Sequence, residues 1–186
     1  QGFGNVGQWT AHFMKEKGAK MVAVQDHTGT IYNENGIDPI ELLAYTKVNK
    51  GGVAGYVKAE AIDNDKFFAL QCDICIPAAL GSQITAANAN EIKAKVIAEG
   101  ANGPTTPEGE EILLKKGVSI IPDILCNSGG VIGSYYEWLQ NRNGEIWQMD
   151  DVIGKLERKL MNSFGKVVVA ADETPLKLMF AAIPFL

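Results

Sequence analysis

A chain of 186 residues, 46% hydrophobic and 21% charged, has the make-up of an ordinary globular protein, long enough for one sizeable core or one domain with an appendage. Its formal net charge of -5 supplies no basic patch for a phosphate backbone, so nucleic acid is not an expected partner. No apolar run reaches the roughly 20 residues a membrane helix needs, and no charged-then-apolar leader is present, so the expected setting is the cytoplasm, away from membranes.

The first motif is GxGxxG, carried by Gly2, Gly4 and Gly7 in QGFGNVGQ. Such a loop needs a strand leading into it, and Gln1 alone precedes it, so the first strand of the unit is expected to be missing. Val6, Trp9, Phe13 and Met14 then recur at helical spacing up to a stop at Gly18. Residues 20–26, KMVAVQD, read as a strand, with turn chemistry after it and a short strand pair at TIY. Residues 38–52 read as a helix with Asp38 as N-cap and Pro39 at its first position. Residues 59–70, AEAIDNDKFFAL, read as a weaker helix.

Two apolar strands, at residues 72–80 and 93–102, are expected to flank a helical stretch at residues 82–92. A short helix at 106–117 closes at Gly117, and residues 118–125 give another strand. From Gly129 onward the chain reads as helical, and Ile153, Leu156, Leu160, Phe164 and Val167 share one stripe. Strands that are apolar throughout, alternating with helices, predict an α/β fold: a Rossmann-like open parallel sheet with helices on both faces. The expected division is a dinucleotide-binding domain at residues 1–145 and a helical C-terminal extension of it at 146–186.

In a GxGxxG loop the first glycine permits a tight turn. The second lets the backbone approach a pyrophosphate, and the third lets helix and strand pack closely. The amides around Phe3, Asn5 and Val6 are expected to face the phosphates at a helix N-terminus. Asp26 ends the next strand, nineteen residues past Gly7, where a carboxylate accepts hydrogen bonds from an adenosine ribose. That carboxylate favours NAD over NADP because it repels a ribose phosphate, while His27 and Thr28 keep NADP open, since both can contact a phosphate.

Asn102 and Asn127 each follow an apolar strand, where ligands bind in open α/β sheets, and their amides suit a nicotinamide carboxamide. For either residue alone, turn or cap chemistry explains the position equally well. Val131, Ser134 and Trp138 share a face of the helix opened by Gly129 and Gly130. A hydroxyl at Ser134 is placed to bind a polar group of a substrate, although on spacing alone a serine bonded to its own helix backbone serves as well. Cys72 and Cys75 form CxxC, but there is no second CxxC and no histidine pair, so packed thiols in a reducing compartment are expected and no metal site. Lys93 and Lys95 read as a solvated helix end and strand start, and no general base is assigned.

Taken in order and spacing, QGFGNVGQ, VAVQDHTGTIYNENGID, IPAAL, NANEIKAK, IAEGANGPTTPE and IPDILCNSGGVIGSYYEWLQN resemble the nucleotide-binding domain of the glutamate dehydrogenases, over residues 1 to about 170. The resemblance implies NAD(P)-dependent oxidative deamination of L-glutamate to 2-oxoglutarate and ammonia, in a two-domain subunit of a homohexamer. It implies that Gly2, Phe3, Gly4, Asn5, Val6 and Gly7 hold the pyrophosphate, with Asp26 beside the ribose and Ala78 and Ala79 along the cofactor. Asn102 and Asn127 would lie near the nicotinamide, Ser134 would meet the substrate side-chain carboxylate, and Val131 would form the wall beside it. The family's catalytic lysine and aspartate belong to a preceding domain not found in this sequence, so the fragment alone is expected to be inactive. The tail ETPLKLMFAAIPFL fits the family pattern poorly, and Cys126 and Ser128 stand where alanine is usual. Leucine, valine and phenylalanine dehydrogenases share the superfamily, and a non-catalytic dinucleotide-binding regulatory module is the alternative of another class.

Overall fold

A computed structural model describes residues 1–173. The expected tail from residue 174 onward lies outside the described residues. The chain divides into two compact units, one covering Gln1–Ser119 and the other starting at Ile120.

The first unit opens with helix α1 (Asn5–Glu16), which ends before Gly18, a glycine at φ 87° that no side-chain-bearing residue would adopt cheaply. Strand β1 (Ala23–Asp26) turns into β2 (Gly29–Tyr32), and β2 pairs on its other edge with β3 (Glu60–Ile62), all antiparallel. Helix α2 (Pro39–Val48) begins as the sequence predicts: the Asp38 carboxylate accepts from the amides of Ile40 and Glu41, and Pro39 occupies the first turn. Phe3, Val24, Ile31, Ile37, Leu42, Val53 and Tyr56 form the core of this part.

A second sheet has the order β4-β5-β6, where β4 is Ile74–Cys75, β5 is Val96–Ala98 and β6 is Ser119–Ile121. Strands β4 and β5 run parallel, Ile74 opposite Val96 and Cys75 opposite Ile97. Helix α3 (Pro107–Lys115) precedes β6, capped by the Thr106 hydroxyl on the Gly109 amide. The α/β expectation holds. The antiparallel β1–β3 group extends the short strand pair foreseen at TIY.

Two expected helices do not form. Residues 59–70 give β3 and a 3-10 turn (Asn64–Ala69). Pairing with the edge of β2 outweighs a weak helical pattern, and the Asn64 carbonyl and side-chain oxygens accept from Gln25 and Thr30. Residues 82–92 contain no regular helix. Asn88 bonds locally to the Thr85 amide and the Gln83 carbonyl, competing with a helical ladder. The carbonyls of Ala89, Asn90 and Ile92 converge instead on the Lys116 ammonium, at 3.1, 2.6 and 2.7 Å.

In the second unit, α4 (Asp123–Cys126) leads into α5 (Gly129–Asn143), which closes on Gly144 at φ 66°. Helix α6 (Met149–Glu173) follows. The Trp147 amide bonds the Gln140 side chain, and Lys155 sits 3.2 Å from the centre of the Trp147 ring. Of the stripe expected on α6, Val167 is fully buried with Leu125, while Ile153 and Phe164 remain exposed.

Candidate functional site

The glycine loop is held by its own neighbours. Gly2 has φ 88°, and a Cβ there would sit 2.6 Å from the Ala78 carbonyl oxygen. A Cβ on Gly7 would sit 1.9 Å from the Gly2 carbonyl oxygen. Both positions are therefore closed to any other residue by packing within the protein. Gly4 differs: a Cβ there would meet nothing within 4 Å. The first and third glycines fold the loop, and the middle one faces open space.

Helix α1 starts at this opening without a cap. Gly4 is its N-cap, no side chain caps it, and no acid lies in the first turn. The N-terminal amides of Asn5, Val6 and Gly7 have no carbonyl within the helix to bond, and the partial positive charge of the helix end collects there. Gly4, Asn5 and Val6 are exposed. Phe3 is not: its side chain is in the core, so its backbone alone is available to a ligand. This is the chemistry a pyrophosphate requires, and the space over Gly4 is the cradle it would fill.

Ala78 and Ala79 lie against the loop through the contact with Gly2. Gly100, which the sequence reading passed over, lies beside them, since a Cβ there would be 3.2 Å from the Ala78 methyl and 3.3 Å from Val6. Its place two residues after the β5 strand, before Ala101-Asn102, was the available signal. Asn102 is exposed two residues further on.

Asp26 stands at the carboxyl end of β1, half-buried, with His27 and Thr28 exposed beyond it. Its Oδ1 accepts from the Thr28 amide and hydroxyl, and its Oδ2 accepts from the Val53 amide at 3.0 Å. Thr28 in turn accepts from the Ala54 amide at 3.1 Å. The carboxylate thus ties the β1–β2 turn to the segment after Gly51-Gly52, a tie the sequence did not reveal. A carboxylate offers about four lone-pair sites, and three donors leave room for one more.

In the second unit, Asn127 is the C-cap of α4 and half-buried. Helix α5 also starts without a side-chain cap or an acid in its first turn. The Ser128 hydroxyl is turned back to donate to the Leu125 carbonyl at 2.8 Å. Val131 and Ser134 are exposed on α5, and Ser134 makes no side-chain hydrogen bond among the described residues. The alternative reading, in which the serine bonds its own helix, is not what the structure has.

The thiols behave as packed groups where they are buried. Cys75 is buried in β4, and burial pushes its thiol up to about 11. Burial, followed by the neighbouring Asp73 carboxylate, also raises Cys72. Among the described residues no helix is long and apolar enough to cross a membrane.

A family model described as Glutamate/Leucine/Phenylalanine/Valine dehydrogenase matches residues 1–184. Glutamate dehydrogenase of Thermotoga maritima is 46% identical over 183 residues, covering 98% of this chain and 44% of that protein. NAD-specific glutamate dehydrogenase of Peptoniphilus asaccharolyticus is 45% identical over 178 residues, covering 93% of this chain and 42% of that protein. The hetero-hexameric glutamate dehydrogenase of Thermus thermophilus, solved in a Leu-bound form, superposes over 100% of this chain and 43% of its own with a TM-score of 0.91 at 28% identity. The chain spans less than half the length of these relatives. A match running from the glycine loop through both asparagine turns and into α6 places the chain in the Glutamate/Leucine/Phenylalanine/Valine dehydrogenase family.

Proposed function

We propose that this chain is the cofactor-binding part of a glutamate dehydrogenase, an enzyme that oxidatively deaminates L-glutamate to 2-oxoglutarate and ammonia with NAD. The observation that carries the reading is the uncapped start of α1 under a glycine whose side-chain direction is empty. The amides of Asn5, Val6 and Gly7 would bind the pyrophosphate, and the remaining acceptor site of Asp26 would take a ribose hydroxyl. The Asp26 carboxylate favours NAD, and the exposed His27 and Thr28 leave NADP open.

A nicotinamide cofactor held by these residues would supply the acceptor for a hydride from the substrate α-carbon. What this chain's residues would do is orient: Ala78 and Ala79 would flank the cofactor, and the amide of Asn102 would fix which face of the ring is presented. Ser134 bonds the side-chain carboxylate of the substrate, with Val131 beside it. A hydroxyl at that place favours glutamate over the apolar substrates of leucine, valine or phenylalanine dehydrogenases. No residue of this chain is assigned as the base that accepts the amine proton, so the 186-residue chain binds dinucleotide without turning over glutamate.

Titration calorimetry of the chain with NADH and NADPH tests the binding role, with NADH expected to bind more tightly. Heats indistinguishable from dilution for both would refute it. Assay of an enzyme containing this sequence, with glutamate and with leucine, tests the substrate, and preference for leucine would overturn the role given to Ser134.

A further inference from the structure

Gln25 is a buried polar side chain within β1, 9% exposed. Its Nε2 donates to the Thr30 hydroxyl and to the Asn64 carbonyl, at 2.8 Å each. Its Oε1 accepts from Gln1 Nε2 at 2.9 Å, and the same Gln1 nitrogen donates to Gln83 Oε1 at 2.8 Å. Gln83 Nε2 in turn donates to the Gly81 carbonyl at 3.1 Å. Three glutamines thus form one chain of amides, from β1 through the residue before Gly2 to the segment that follows β4. Apolar side chains of similar size would fill this space without losing hydration, so the chain serves a fixed arrangement more than stability.

The turn at the end of that chain is one that needs holding. Ser82 lies between Gly81 and Gln83 at φ 55°, a left-handed backbone that a residue with a Cβ keeps only when its surroundings fix it. The Gln83 side chain fixes it from one side by reaching back over Ser82 to the Gly81 carbonyl. From the other side the Ser82 amide bonds the Gly103 carbonyl at 2.8 Å, and the Gln83 amide bonds the Pro104 carbonyl at 2.8 Å. The turn also lies against Asn102: a Cβ on Gly81 would stand 3.3 Å from the carbonyl oxygens of Asn102 and Gly103. The glycine loop has backbone bonds of its own, from the Gly2 amide to the Gln25 carbonyl and from the Ala78 amide to the Gln1 carbonyl, both at 2.7 Å.

We propose, on the dinucleotide-binding role given to these loops, that Gln83 is a positioning residue for the nicotinamide end of the site. Through Gln1 it fixes the 81–83 turn, and with it the Asn102 loop, relative to the glycine loop. It acts through its neighbours and touches no cofactor itself. A ligand that spans from Gly4 to Asn102 needs both loops in register, whereas one that stops at the pyrophosphate needs only the glycine loop.

Titration calorimetry of the 186-residue chain with NADH and with ADP-ribose, which lacks the nicotinamide, reads this role. Gln83→Met keeps the length of the side chain and removes both of its bonds. It is expected to weaken NADH binding by about fivefold or more and ADP-ribose binding by less than about twofold. Gln1→Met is expected to shift the two ligands in the same unequal way, and the double variant to bind NADH as Gln83→Met does, because both changes remove one link. Gln83→Glu keeps an acceptor for Gln1 but cannot donate to Gly81. It takes the place of Gln83→Met if that variant fails to fold, with the same unequal loss expected. Equal loss of both ligands would make Gln83 a purely structural residue and overturn the proposal, as would unchanged NADH affinity or additive losses in the double variant. A parent chain that binds neither ligand would refute the dinucleotide-binding role, and this proposal with it.

Discussion

Helices α1 and α2 lie in the same unit and pack on the same core, yet they begin in opposite ways. Helix α2 is closed by its own sequence: Asp38 caps it, Pro39 needs no partner for a missing amide, and Glu41 adds negative charge to the first turn. Helix α1 has glycine at the cap, no side-chain acceptor and no acid. Helix α3 follows α2, with Thr106 as cap and Glu108 and Glu110 in its first turn. Helix α5 follows α1, its Ser128 hydroxyl turned back to Leu125. A closed start serves stability, whereas an open start leaves its first amides without a side-chain acceptor. The two open starts are the two places where glycine-rich motifs stand in the sequence.

The contrast is broken most severely inside the glycine loop. Gly7→Ala places a methyl group 1.9 Å from a carbonyl oxygen, and is expected to cost about 3 kcal/mol or more, read as a lowered denaturation midpoint. The Cβ of Gly4→Val meets nothing within 4 Å, so its midpoint should stay within about 1 kcal/mol of the parent while NADH binding weakens at least about tenfold. If both variants lost the same stability, the distinction between folding glycines and ligand glycine would fail.

A smaller effect separates the closed starts. Asp38→Ala and Thr106→Ala should each lower stability by about 1 kcal/mol, measured by urea denaturation, and leave dinucleotide affinity unchanged. The pH dependence of Asp38 gives a further check. The hydrogen bond from Lys15 holds its carboxyl below the usual carboxylate range, helped by the two backbone amides it caps. A depressed carboxylate stabilises the fold above its unfolded value of ~3.9 and loses that contribution as pH falls through the lower folded value. Asp38→Asn should therefore flatten the acid limb of the stability curve, whereas an unchanged limb would remove Asp38 from the account. Least in energy but simple to read, Cys75 should resist thiol reagents at neutral pH until the protein unfolds, while the exposed Cys126 reacts.

Much of this was legible because the signals were local. Asp38-Pro39 announces a helix start through one carboxylate and one ring, and Gly117 and Gly18 mark ends that only a positive φ satisfies. The glycine loop could be placed from spacing, and its middle glycine is the one whose side-chain direction is open. What escaped depends on groups distant in sequence. Residues 82–92 looked helical because nothing nearby showed that Lys116 would collect their carbonyls. Residues 59–70 looked helical because the edge of β2 that β3 pairs with lies thirty residues away in register, Ile31 opposite Ala61. Asp26 was visible as a strand-end acid, but its bond to the Val53 amide was not.

The central claim is that the opening of α1 is left uncapped for a diphosphate. Gly4→Asp tests it most directly, because the backbone at Gly4, φ -78° and ψ -159°, accepts an ordinary side chain and the aspartate can cap the helix. Calorimetric titration with NADH, beside a thermal melt of the same preparation, is predicted to show a melting temperature held or raised and dinucleotide binding lost. An aspartate variant that binds NADH as the parent does would contradict the account.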